Sequence, residues 1–158
     1  MIDDIDAKIL SILQENARTS NAEIARRLEM APSAVFERIR KLEARGVIQG
    51  YEARLDPKAL GSGLLAFIFV RLQDFGDVSV GRRLAEMPEV QEVHSIAGED
   101  CYLVKVRTRD PESLGRLLQE WFTTIGPITS TRTTIVLGTV KESSRLSLPV
   151  DRSGAGDA

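Results

Sequence analysis

The sequence predicts an α+β chain in two parts: three helices followed by a short β segment, then a β-α-β-β-α-β unit. Three observations carry this. Apolar residues recur at spacings of three and four as far as residue 46. Beyond it, β-branched and aromatic runs alternate with helical stretches. Between the two parts, Pro57 to Gly63 holds one proline and two glycines, which marks a hinge. The expected organisation is a helical unit over 1–50, a β-hairpin and hinge over 51–63, a β-rich unit over 64–141, and a C-terminal segment with a tail over 142–158.

Ile5, Ile9, Ile12 and Leu13 fall on one face of the first helix, with Asp3 or Asp4 as its cap. Asn16-Ala17-Arg18-Thr19 ends it. Ser20 and Glu23 form an S-x-x-E capping pattern that opens a second helix with Ile24, Ala25 and Leu28 inward. Pro32 suits the first turn of a third helix, where its missing N–H has no helical partner. Val35, Ile39 and Leu42 form the buried stripe of that helix, and Gly46 stops it. Val47 to Asp56 reads as strand, turn and strand.

Leu64 to Leu72 is an apolar run, hence a buried strand. Ser79 to Met87 is helical, with Val80, Leu84 and Met87 on one side. Val90 to Ala97 is a strand, Gly98-Glu99-Asp100 a turn, and Tyr102 to Thr108 another strand. Asp110 opens a helix with Leu114, Leu117, Leu118, Trp121 and Phe122 inward. Pro127 breaks the chain, and Thr129 to Leu137 is a final β-branched strand. This order is the ferredoxin-like pattern, an antiparallel sheet with helices on one face. Neither alternating set of the last strand is clearly polar. The sheet is therefore expected to be buried on both sides, the outer side by a second subunit. Residues 149–158 lack apolar periodicity and are expected to form a mobile tail.

Composition sets the function classes. The chain of 158 residues is 42% apolar and 28% charged, as in soluble globular proteins. No run approaches the roughly 18 apolar residues of a membrane span. The start, Met1-Ile2-Asp3-Asp4-Ile5-Asp6, is acidic and lacks the features of a secretory signal. The single cysteine, Cys101, cannot form an internal disulfide. A cytoplasmic protein is the expectation. The net charge of -2 argues against a generally basic nucleic-acid coat. Residues 1–50 hold eight acids and eight bases, but Asp3, Asp4 and Asp6 come first and Arg38, Arg40, Lys41 and Arg45 later. Phosphate responds to local potential, so a neutral total does not exclude DNA; it implies that affinity comes from several copies acting together.

Ser20 to Arg45 is the segment that carries chemistry. Two short helices about a tight break can hold one helix against DNA while the other braces it. Ser33, Ala34, Glu37 and Arg38 lie in the half that enters a major groove, where small residues allow close approach and polar ones read base edges. Arg40, Lys41 and Arg45 lie further along, placed for phosphates. Substituting alanine for Arg38 or Arg40 is expected to weaken promoter binding without disturbing the oligomer. The plainer alternative is a solvated helix of a small bundle. One histidine, His94, and one cysteine fall short of the four ligands of a zinc site. Gly-rich phosphate loops, Ser-His-Asp orders and paired catalytic carboxylates are not recognisable. No metal, cofactor or catalytic residue is expected.

The order of motifs resembles the Lrp/AsnC, or feast/famine, family of bacterial and archaeal transcriptional regulators. The resemblance spans residues 2–148. It rests on Ile5-Asp6-x-x-Ile9-Leu10-x-x-Leu13, Ser20-Asn21-Ala22-Glu23-Ile24-Ala25, Pro32-Ser33-Ala34-Val35 and Arg38-Ile39-Arg40-Lys41-Leu42-Glu43. Further matches are Gly46-Val47-Ile48-Gln49-Gly50-Tyr51, Gly98 to Val106, Thr131-Arg132-Thr133 and Val140-Lys141-Glu142-Ser143. It implies a winged helix-turn-helix on pseudo-palindromic promoter DNA and a RAM-type C-terminal domain. It also implies homodimers joined by their sheets, often assembling into octamers, with an amino acid or similar small effector bound between dimers.

The effector site implied by the resemblance gathers around Gly98, Glu99, Asp100, Cys101 and Tyr102, with Thr131 and Thr133 lining the same interface. The family pattern there is Gly-Asp-x-Asp-Tyr; here Cys101 replaces the second acid. Gly98 permits close backbone approach, N–H groups suit a carboxylate, and Glu99 or Asp100 an ammonium. A plain solvated β-turn is the alternative. Two other functions stay open. Siroheme decarboxylases resemble this architecture but rely on histidines, of which the chain has only His94. A stand-alone amino-acid sensor would have no use for Ser20 to Arg45.

Overall fold

The computed structural model describes residues 2–74 and 78–148. By its contacts the chain divides into two units. One comprises the residues up to Arg54 together with those from Glu142 onward; the other is Leu55–Lys141.

In the first unit, helices α1 (Asp4–Glu15), α2 (Asn21–Leu28) and α3 (Pro32–Ala44) enclose a core of Ile9, Ile24, Ala25, Val35 and Ile39. Asp3 caps α1, accepting the Asp6 N–H at 2.7 Å, and the Asp6 carboxylate reaches back to the Asp3 N–H at 3.5 Å, a complete capping box. Ser20 caps α2 by accepting the Glu23 N–H at 3.2 Å. The other half of its expected box is missing, because Glu23 turns to Arg26 and Arg27 instead. Glu29 between α2 and α3 has φ 54°, a left-handed conformation that disfavours side chains with a Cβ. It lets the Met30 N–H close on the Ala25 carbonyl at 2.9 Å and sets the tight break. Ile5, expected inside, is 36% exposed; Asp6, Ala7 and Leu10 are buried along with Ile9.

The hairpin expected over 47–56 does not form: that segment contains no strand. The Val47 and Ile48 N–H groups both close on the Leu42 carbonyl, at 2.9 and 3.2 Å. The first expected strand is thereby used up ending α3, with Ile48 packed on the helical core. The last described segment also belongs to this unit. The Gln14 side-chain amide exchanges two hydrogen bonds with the backbone of Leu146, at 3.0 and 2.7 Å, and Arg54 donates to the Glu142 carbonyl. The tail expected at 149–158 lies outside the described residues.

The second unit runs β1 (Leu64–Leu72), α4 (Val78–Ala85), β2 (Val90–Ser95), β3 (Tyr102–Thr108), α5 (Pro111–Thr124) and β4 (Ile128–Ile135). The strands form one antiparallel sheet in the order β2-β3-β1-β4, as the ferredoxin-like pattern requires. The strand period of two sends Ala66, Ile68, Val70 and Leu72 to one face of β1. There they join Val104 and Val106 of β3, Val80 and Leu84 of α4, and Leu114, Leu117 and Trp121 of α5 in one core. Gly81 lets α4 lie flat on Tyr102: a Cβ there would stand 2.8 Å from Tyr102 Cε1. Phe122, expected inside, is 46% exposed, since it lies a hundred degrees around the helix from Trp121. Phe67, Phe69 and Leu103, half-buried, share the opposite, uncovered face of the sheet with Arg71, Lys105 and Arg107.

Asp110 caps α5 by accepting the Ser113 N–H at 2.7 Å. That backbone bond first, then the Ser113 side chain and Arg109, hold its carboxyl at about 2, below the ordinary 3.8. A carboxyl depressed on folding contributes stability above its unfolded value and loses it as pH falls through the folded one. Acid titration followed by circular dichroism should therefore show a loss between pH 3.8 and about 2. Asp110→Asn keeps the acceptor without the charge and should flatten that part of the curve.

Candidate functional site

One side of α3 is core and the other is open. Opposite Val35, Ile39 and Leu42, the residues Ser33, Glu37, Arg40 and Ala44 follow one another at spacings of four, three and four, forming an exposed ridge. Ala34 and Lys41 flank it on one side and Phe36, 52% exposed, on the other. Ala31 supplies no side-chain cap, and the first turn carries no acid, so the positive end of the helix is uncompensated. Arg40 is 66% exposed and lies 3.6 Å from Glu37, a loose pair. Arg45 is exposed at the C-cap.

Arg38 departs from expectation. Its Nη1 donates to Asp3 Oδ2 and Asp6 Oδ1, both at 2.7 Å. It thus joins α3 to the capping box of α1 and is already engaged within the chain. The Asp6 backbone N–H, and after it Arg38, hold the Asp3 carboxyl below its usual range. Only the fold brings residues 32 and 35 positions apart into one cluster. Tyr51 was not foreseen either. Its Oη donates to Glu43 Oε1 at 2.9 Å, closing a groove of about 300 Å³ along α3 with Leu13, Phe36 and Arg40. Burial foremost, and then Glu43, push its phenol up to about 12.

A second cluster forms at the turn between β2 and β3. Gly98 has φ 140°, which suits glycine. Asp100, 16% exposed, meets Arg132 Nη2 at 3.1 Å and Arg71 Nε at 3.8 Å; Glu99, 90% exposed, meets Arg71 Nη2 at 3.0 Å. Arg132 lies over the Phe69 ring, 4.1 Å from its centroid. The register explains the convergence. Arg132 pairs with Phe69 and Ser130 with Arg71, so both arginines project from the uncovered face.

The remaining residues expected at this site point elsewhere. Thr131 and Thr133 pair with Val70 and Ile68, half-buried on the helix-covered side. Cys101, 5% exposed, and Tyr102, 8% exposed, are part of the core. Within the chain these four shape the strands around the turn and do not join the Arg71–Asp100–Arg132 cluster. His94 is paired with Glu92 at 3.1 Å on the same uncovered face. Among the described residues no group of three metal-ligating side chains converges.

Comparison with known proteins agrees with the two-unit architecture. Residues 65–146 match the model of the Lrp/AsnC ligand binding domain, and residues 2–49 a winged helix-turn-helix DNA-binding model. The leucine-responsive regulatory protein of Escherichia coli K12 is 37% identical over 148 residues, 92% of this chain and 90% of that one. This chain belongs to the Lrp/AsnC family.

As a family member it is a transcriptional regulator with an N-terminal DNA-binding domain and a C-terminal ligand-binding domain. Three solved relatives share the whole fold. The feast or famine regulatory protein of Mycobacterium tuberculosis, complexed with L-methionine, is 38% identical with a TM-score of 0.86, covering 94% of this chain and all 100% of that one. E. coli AsnC is 32% identical with a TM-score of 0.85, covering 92% and 98%. A Neisseria meningitidis regulator, also complexed with L-methionine, has a TM-score of 0.86 at 28% identity, covering 93% and 97%. Within this Lrp/AsnC chain, Arg71 and Arg132 are the members of the cluster at the Gly98–Asp100 turn that sequence reasoning missed. Arg132 stood in the Thr131-Arg132-Thr133 motif, and strand alternation could have singled it out.

Proposed function

We propose that the Lrp/AsnC chain regulates transcription by laying the exposed ridge of α3 in the major groove of promoter DNA. One observation carries this: Ser33, Ala34, Glu37, Arg40 and Lys41 stand open on the face of α3 turned away from its core. Small residues lead, base-reading groups follow, and cations come last, which is the order a groove-entering helix needs. The uncovered sheet face, with Phe67, Phe69 and Leu103, pairs two copies into a homodimer, and dimers assemble further, to an octamer. The dimer spaces two α3 helices one turn of DNA or a multiple apart. The protein works in the cytoplasm; no helix among the described residues is long and apolar enough to cross a membrane.

The effector is an amino acid, held at the Gly98–Asp100 turn. L-Methionine in two related structures supports that class. Chemistry supports the place: Arg71 and Arg132 suit a carboxylate, and Glu99 or Asp100 an ammonium. Arg71 Nε is buried without a hydrogen-bond partner. The reading is of a regulator and not an enzyme, supported by the match of residues 2–49 to a DNA-binding model and of residues 65–146 to a ligand-binding one.

The test combines gel-shift titration and light scattering across the twenty amino acids. One amino acid should change both DNA affinity and molar mass. Asp100→Ala should weaken that response about 10- to 100-fold while leaving effector-free DNA binding intact. Normal response in the variant would remove the effector from this turn. A monomeric chain that ignores promoter DNA would overturn the whole reading.

A further inference from the structure

We propose that Glu37 makes this regulator select a C·G base pair at one position of each half-site, with Glu37 reading the cytosine and Arg40 the guanine. The inference rests on α3 lying in the major groove. Glu37 sits in the middle of the exposed ridge, between Ser33 and Arg40, with its side chain 51% exposed. A carboxylate carried between two phosphate backbones is repelled, and it can only accept hydrogen bonds. It is tolerated there when a base-edge amine answers it. The major groove offers two, cytosine N4 and adenine N6.

Two features favour cytosine. Adenine N6 stands beside N7, an acceptor that repels the second carboxylate oxygen. Cytosine N4 has no acceptor on its own major-groove edge, and its partner guanine presents O6 and N7 next to it. Arg40 supplies the matching donors. It stands one turn along the same ridge, 3.6 Å from Glu37, so a carboxylate and a guanidinium arrive side by side. That pair is loose and exposed, and opening it onto a base pair costs little. Two neighbouring candidates are occupied, Arg38 by Asp3 and Asp6 and Glu43 by Tyr51, and Lys41 stands to the side of the ridge, toward phosphate.

The experiment selects bound duplexes from a randomised pool with the full chain, as wild type, Glu37→Gln and Glu37→Ala. Circular dichroism checks that the variants fold, as expected for an exposed side chain. Wild type should enrich C·G at one position per half-site. Glu37→Gln should prefer adenine at that position by about 10-fold, because a glutamine amide pairs with N6 and N7 together, while the rest of the consensus stays. Glu37→Ala should flatten the preference there. Unchanged base preference in both variants overturns the proposal. So does tighter binding to all sequences alike, which would make Glu37 a repulsive charge only. If the wild type enriches no duplex at all, the placement of α3 itself fails, and the proposal with it.

Discussion

Trp121→Ala is expected to destabilise the C-terminal unit by about 3–5 kcal/mol, the largest single-residue effect anticipated in this chain. Trp121 is 0% exposed, packed between α5 and the covered face of the sheet. Its ring fills space that Leu114, Leu117, Val80 and Leu84 cannot close over, so truncation leaves a cavity as well as losing transfer energy. Its Nε1–H also has a partner, Met87 Sδ at 2.7 Å, which anchors the chain just after α4. Denaturant titration followed by circular dichroism measures the loss; fluorescence cannot, because the substitution removes the only tryptophan. Phe122→Ala is the control. At 46% exposed it should cost under about 1 kcal/mol, and equal losses at the two positions would contradict the observed rotation of α5.

The second large effect is on DNA. Replacing Arg40 and Lys41 together with alanine should lower promoter affinity about 100-fold and reduce the slope of log K against log salt by about one per subunit, the share of Lys41 at phosphate, since Arg40 faces a base edge. Both cations are exposed on or beside the ridge. The slope is the decisive readout, since it counts phosphates contacted and not the quality of the fold. Arg38→Ala should behave differently. Its guanidinium holds Asp3 and Asp6, so its loss should lower the melting temperature of the helical unit while leaving the salt slope unchanged. A slope reduced by Arg38→Ala to the same degree as by the double variant would show that DNA takes Arg38 from the two aspartates.

These predictions differ from what the residues alone suggested, and the differences share a cause. Arg38 and Arg40 are both basic and both on α3, so the sequence reading placed both on DNA, Arg38 in the groove-entering half and Arg40 toward phosphates. One is drawn to carboxylates 32 and 35 positions away, a pairing that has no periodic signature. The hairpin over 47–56 failed for a related reason. Val47 and Ile48 have strand propensity, but the free Leu42 carbonyl at the end of α3 claimed their N–H groups. The turn at Gly98–Asp100 was legible from its glycine and acids. Arg71, coming from another strand, was not.

What the residues determined by themselves is the local grammar. Helix starts at Asp3 or Asp4, Ser20, Pro32 and Asp110 follow from caps and proline, and the buried stripes, Ile5 and Phe122 apart, from spacings of three and four. The element order β-α-β-β-α-β follows from alternation, and the family from the succession of motifs. These signals are written within a few residues of where they act. Tertiary structure alone decided which charges are spent and which are open. Arg38 is tied to α1, Arg71 and Arg132 meet over Asp100, and Cys101 and Tyr102 turn into the core. Each outcome depends on sheet register and on helix packing between distant segments, where one residue of rotation or slip would present the opposite face.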